Sequence, residues 1–194
     1  MRLLLDRYGI LFREILEKEL PLFRWSSVFR SLRLMELSGE VLAGYFFKDI
    51  PGPQFTSQQA FRLLQPTLPG DNVYWINATD PVSLCGLQIK ALKGTLPRRV
   101  VTTHLVYRGS ELVLVSERND KSLTIHVTPD DPDFQEYLCS LHHLLYRGFQ
   151  PLRKITVEVI NGEDAEQSPY VDSLRNHFDV LVEFKTITLY RKIV

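Results

Sequence analysis

Apolar positions repeat with a helical period near the start of the chain and with a strand period through its middle. Leu3, Leu4 and Leu5 lead into Arg7-Tyr8-Gly9, which predicts a first helix with Gly9 as its stop. Leu11, Ile15 and Leu16 share one side of a second short helix over about 11–18. Pro21 then opens a third, about 22–37, on which Trp25, Phe29, Leu32 and Met35 recur at helical spacing. Its other side carries Arg24, Ser27, Arg30, Ser31 and Arg33, and Ser38-Gly39 ends it. Residues 41–47 are rich in strand formers, 48–52 make a turn, and Gln54-Phe55-Thr56 return as a partner strand. Three helices followed by a two-stranded ribbon is the order of a winged helix.

Beyond residue 57 the period changes. A short helix over 57–64, which Ser57 is placed to cap, runs into Pro66, Pro69, Gly70 and Asp71-Asn72, read as a linker. Residues 73–77, 100–107, 111–117 and 122–127 are strand candidates, with turns at Thr79-Asp80-Pro81, Arg108-Gly109 and Asn119-Asp120. An antiparallel meander of this kind is expected to curl into a small barrel. Asp131-Pro132 opens a helix striped by Phe134, Leu138, Leu141 and Leu145 and stopped by Gly148. A strand over 154–160, a turn at Asn161-Gly162, a helix of about eight residues after Ser168-Pro169 and strands over 180–184 and 186–190 complete the chain. The predicted fold class is α+β: an N-terminal winged helix over 1–65, then a β-barrel-like meander and a terminal α/β segment over 66–194.

Composition narrows the function. Hydrophobic residues make up 44% and charged residues 24% of 194, which fits a folded globular chain. Lys and Arg total 23 against 23 acids, so a heavily basic polyanion binder is excluded while a local basic face is not. Residues 1–50 carry eight basic and seven acidic side chains, residues 51–110 six and two, and residues 111–194 nine and fourteen. A polyanion is better received by the first two-thirds than by the last third. Cys85 and Cys139 lack CxxC spacing, no apolar run reaches the roughly 20 residues of a membrane span, and the start has no signal-peptide pattern. These features predict a cytoplasmic chain without membrane contact.

Candidate chemistry is sparse. Neither GxxxxGK[ST], GxGxxG nor GxSxG occurs. His142 and His143, adjacent on a helix, point about 100° apart and do not converge on one ion, so no metal site is predicted. His104 and His126 are read as a polar cross-strand contact. The acids at 130–136 suit a helix start, and those at 163–166 a solvated loop. Asp80, the lone acid of a basic stretch, is the weak catalytic candidate: such a carboxylate near DNA can activate water for N-glycosidic cleavage, although an Asp before Pro serves first as a turn former. Nucleic-acid contact is better supported. Arg24, Arg30 and Arg33 on the third helix, Tyr45 and Lys48 on the ribbon, and Arg98 and Arg99 at the head of the meander are the candidate contacts. Trp25 and Trp75 are expected to be core residues rather than stacking platforms.

Several motifs also resemble a known family. Leu4-Leu5-Asp6-Arg7-Tyr8-Gly9-Ile10, Phe12-Arg13-Glu14, Leu37-Ser38-Gly39-Glu40-Val41, Gly44-Tyr45-Phe46 and Gly52-Pro53-Gln54-Phe55 look like the C-terminal accessory, or DEAD/DEAH-associated, region of large helicase-related (Lhr) proteins. Asn77-Ala78-Thr79-Asp80-Pro81 resembles the family's A-T-D-P turn, and Ser116-Glu117-Arg118 with Lys121-Ser122-Leu123 its L-E-R…S-L hairpin. Ile160-Asn161-Gly162-Glu163 with Ser168-Pro169 resembles its closing I-N-G-E…S-P. The resemblance implies an ATP-dependent superfamily 2 DNA helicase associated with repair, with RecA-like lobes as partners and ATP and Mg held only in an upstream motor. No motor motif is present in this sequence. Phe12 stands where relatives place a Thr that caps the second helix. The family's glycosylase-like relatives use a Q-x-Q or Q-x-D pair, whereas here Gln58 and Gln59 are adjacent and Gln54 stands alone. The expectation is therefore a non-catalytic, DNA-engaging accessory domain, with base excision and pure protein docking as the rival readings.

Overall fold

In a computed structural model, which describes residues 1–65 and 70–192, the chain divides into two compact units. The first comprises Met1–Leu68 with Leu84–Pro97, the second Pro69–Ser83 with Arg98–Val194. The segment 84–97 thus packs with the first unit, where a contiguous division at 65/66 assigns it to the second. Leu87 and Ile89 sit in the first unit's hydrophobic core.

The first unit starts with α1 (Arg2–Tyr8), ended by Gly9 at φ 69°, whose N–H donates to Leu5 O at 2.8 Å. This left-handed turn is what glycine adopts without strain. Strand β1 (Ile10–Leu11) follows. Glu14–Lys18 then forms a 3-10 turn rather than the predicted α-helix, and Leu11 lies in the strand before it. No side chain caps this turn at Arg13, and a run this short lacks the hydrogen bonds to propagate as α-helix. Its apolar side is nonetheless buried through Ile15 and Leu16. Pro21–Phe23 makes another 3-10 turn before α2 (Trp25–Leu37), whose core seam is Val28 and Leu32, with Trp25, Phe29 and Met35 packed beside it. Strands β2 (Val41–Gly44) and β3 (Gln54–Ser57) pair antiparallel, and β1 joins β3 on its other side, giving the order β1-β3-β2. Ser57 caps α3 (Gln58–Leu64) by accepting from Ala60 N at 3.1 Å, as predicted. Helices and hairpin arrive in winged-helix order; the linker prolines Pro66 and Pro69 lie outside the described residues.

In the second unit β4 (Val73–Asn77), β5 (His104–Arg108), β6 (Glu111–Glu117) and β7 (Ser122–Ile125) form the expected antiparallel meander. It does not close into a barrel. Helices α4 (Phe134–Tyr137) and α5 (Cys139–Tyr146) pack on β4 and β5, burying the predicted stripe of Phe134, Leu138, Leu141 and Leu145. With that face filled by helices, β4 remains an edge. The predicted strand at 154–160 is split. Strand β8 (Ile155–Val157) and β9 (Val159–Ile160) belong to different sheets, and the chain crosses at Glu158, whose N–H donates to Lys121 O at 2.7 Å. Strand β9 runs parallel to β7, and β10 (Glu163–Asp164) finishes the open six-stranded order β10-β9-β7-β6-β5-β4. Helix α6 (Val171–His177) leads to the hairpin of β11 (Asp179–Glu183) and β12 (Thr186–Tyr190), and β8 pairs with β12 in a third sheet. His104 and His126 do not face each other, because β6 lies between β5 and the end of β7; His104 sits opposite Ser116.

One turn in this unit is sterically exacting. Gly109 has φ +57°, and a Cβ placed there would lie 2.6 Å from Gly70 O. We expect Gly109→Ala to destabilise the chain by about 1–3 kcal/mol, read as a lowered urea midpoint with unchanged slope.

Candidate nucleic-acid interface

Five of the seven predicted contact residues belong to the first unit. Arg24 lies at the entry to α2, while Arg30 and Arg33 lie on its solvent side; all three are exposed. Among the described residues neither Arg24 nor Arg30 has an acidic partner, while Arg33 pairs with Glu36 one turn along the helix. A surface pair of this kind contributes under about 1 kcal/mol and exchanges readily for another anion. Leu34 and Leu37 share the solvent side of α2, at 62% and 81% exposure.

Tyr45 and Lys48 belong to the loop 45–53 between β2 and β3, the wing. Residues 45–47, predicted to be strand, leave the ladder because Gln54 takes their hydrogen bonds. The Gln54 side chain is fully buried. Its Oε1 accepts from Phe46 N at 2.9 Å and Phe47 N at 2.8 Å, and its Nε2 donates to Phe47 O at 2.9 Å and Ile50 O at 3.1 Å. Every bond this amide makes well is thus spent on fixing the wing. Tyr45, 82% exposed, and Lys48 project from the fixed loop.

Three adjoining clefts run along the same unit. A cleft of about 410 Å³ is lined by Arg13, Arg24 and Trp25. One of about 280 Å³ lies between Arg13, Glu14 and Trp25 on one side and Pro51-Gly52-Pro53 of the wing on the other. A third, about 380 Å³, is bounded by Glu14, Lys48, Pro51 and Lys90. Arg13, Glu14 and Lys90 were not singled out from sequence. Arg13-Glu14 stood only inside a family motif, and nothing local marks Lys90 as a neighbour of the wing.

The remaining candidates lie in the second unit. Arg98 is exposed. Arg99 is drawn inward: its Nη2 donates to Thr79 O at 2.8 Å, and its Nη1 to Ala78 O and Asp80 O at 3.2 Å and Ser83 O at 3.4 Å. Asp80 accepts from Val82 N through Oδ1 at 2.9 Å, the predicted turn-forming role. Among the described residues no group of three or more His, Cys, Asp or Glu is placed to hold a metal ion, and no helix is long and apolar enough to cross a membrane.

Residues 1–75 match the family model described as the winged-helix domain of large helicase-related protein. The likeness covers 75 of the chain's 194 residues. The match runs from α1 into β4, and so contains α2, the wing and Arg13-Glu14. No curated protein matches the chain. The matched region is thus similar to a helicase-associated winged helix.

Proposed function

We propose that the chain is part of an Lhr-type helicase engaged in repair, and that its winged-helix domain grips DNA behind an upstream ATP-driven motor and catalyses no reaction itself. The observation that carries this reading is the pair of exposed arginines, Arg24 and Arg30, without acidic partners among the described residues, in the same unit as a wing that presents Tyr45 and Lys48. Cations without intramolecular partners release counterions when a phosphate backbone replaces solvent, and that release supplies sequence-independent affinity. Arg98 is a separate exposed cation of the second unit; Arg99, with its four carbonyl partners, is assigned to the turn. ATP and Mg belong to the motor.

A DNA-binding isotherm across a salt series tests the proposal. The chain is expected to bind duplex or single-stranded DNA at low salt, with affinity falling linearly in log–log form as salt rises. Arg24→Glu with Arg30→Glu should weaken binding roughly tenfold or more and flatten the slope by about two phosphate contacts. A second reading has its own support. Leu34 and Leu37 give the solvent side of α2 an apolar character suited to docking on a protein surface such as a motor lobe. Absence of DNA binding at low salt would favour docking.

A further inference from the structure

The third sheet ends on a strand with a free side. Strand β11 pairs with β12 over five consecutive residue pairs, from Asp179↔Tyr190 to Glu183↔Thr186, and with no other strand among the described residues. Phe184 and Lys185 form a two-residue loop, so Glu183 and Thr186 close it by exchanging both main-chain hydrogen bonds. Hydrogen-bonded and non-hydrogen-bonded pairs alternate along an antiparallel ladder. The N–H and C=O groups of Val180 and Val182 are therefore directed at the open side. No proline or bulge blunts the strand there.

Its side chains add chemistry to that row. Val180, opposite Leu189, packs against the core, while Asp179, Leu181 and Glu183 take the other face and are exposed. Neither acid has a cationic partner among the described residues; Glu183 Oε2 accepts only from Thr188 Oγ1 at 3.4 Å. The neighbouring cations are turned elsewhere, with Lys185 Nζ 3.5 Å from Asp164 and Arg191 over the Tyr146 ring. The strand thus presents an acid, a leucine and an acid in a row. Two copies joined edge to edge about Leu181 would set Asp179 against Glu183 at both ends, and like charges directly opposite one another are destabilising. A strand with cations at those two places makes both contacts favourable.

We propose that β11 is a docking edge for an extended peptide segment of another protein in which basic and apolar residues alternate. Lys or Arg faces Asp179 and Glu183, and an apolar residue faces Leu181. Main-chain bonds to Val180 and Val182 hold the segment, and the two acids select its charge. This edge belongs to the second unit and does not depend on the polynucleotide reading.

Titration of the full ¹⁵N-labelled chain with two blocked peptides, Gly-Gly-Lys-Val-Leu-Val-Lys-Gly-Gly and its counterpart with Glu in place of Lys, tests it. The basic peptide is expected to shift the amide resonances of residues 179–183 and to bind about tenfold more tightly than the acidic one. Val182→Pro removes an edge donor without removing a bond to β12, so it should keep the far-UV spectrum and abolish binding. Asp179→Lys with Glu183→Lys leaves every main-chain donor in place and should reverse the preference between the peptides. Absence of shifts at 179–183, equal affinity for the two peptides, or a basic preference that survives the double substitution overturns the proposal. A dimer seen by sedimentation and lost in Val182→Pro, without peptide binding, overturns it in favour of a second copy.

Discussion

Gln54→Ala is expected to destabilise the first unit by about 3 kcal/mol, more than any surface substitution in the wing. The side chain makes four hydrogen bonds from a fully buried position. Each is worth roughly 0.5–1.5 kcal/mol net, and main-chain groups left without a partner inside the fold add a penalty of their own. The effect is local in origin, because residues 45–53 pair with no strand among the described residues. Once the amide is gone, Phe46, Phe47 and Ile50 lose their common tether, and Tyr45 and Lys48 lose a defined position. Urea unfolding monitored by tryptophan fluorescence provides the measurement. Trp25 lies in the first unit and Trp75 in the second, so a Trp75→Phe background isolates the transition of interest. A loss below about 1 kcal/mol would show that the wing is held by its apolar contacts, such as the Phe12–Phe47 ring pair at 5.8 Å, rather than by Gln54. Increased protease cleavage within 45–53 below the unfolding midpoint is expected alongside.

Gln54 also shows why part of the site was hidden in the sequence. An isolated glutamine in a strand carries no periodic signal, and its partners lie four to eight residues away across a loop. The features set by local spacing were legible: the stripe of α2, the Ser57 cap, the Gly9 stop, the four-strand meander and the stripe over 134–145. The features that failed depend on tertiary competition. Closure of the meander was decided by α4 and α5 occupying its face, and the split at Glu158 by two sheets drawing on one strand. Residues 84–97 show neither a helical nor a strand period, so the burial of Leu87 and Ile89 in the first unit could not be read from spacing. Likewise Arg24, Arg30 and Lys48 were legible as cations on a predicted face, whereas Arg13, Glu14 and Lys90 emerge as lining residues of the clefts only from the fold.

The same competition sets the expected result at Arg99. Its sequence context, Arg98-Arg99 at the head of a meander, suits a phosphate contact, yet its guanidinium reaches four carbonyls within the turn 78–83. That turn is already organised by Asn77, whose Oδ1 accepts from Thr79 N at 2.9 Å and whose Nδ2 donates to Val101 O at 2.7 Å. Arg99 therefore joins the carbonyls around Asp80 to the segment that enters β5, and the fully buried Ala78 contributes one of them. Arg99→Ala is expected to cost about 2 kcal/mol, since bonds from a charged donor are individually strong and the side chain is only partly shielded from water. Arg99→Lys should recover less than half of that loss, because an ammonium point charge cannot span carbonyls that a planar fork reaches together. The reporting tryptophan is now Trp75, in a Trp25→Phe background. DNA affinity supplies the discriminating measurement: below the unfolding midpoint Arg99→Ala should leave it within twofold of the unsubstituted chain, while Arg24→Glu with Arg30→Glu lowers it tenfold or more. A drop in affinity and salt slope for Arg99→Ala without a stability loss would return this arginine to the phosphate-contact set.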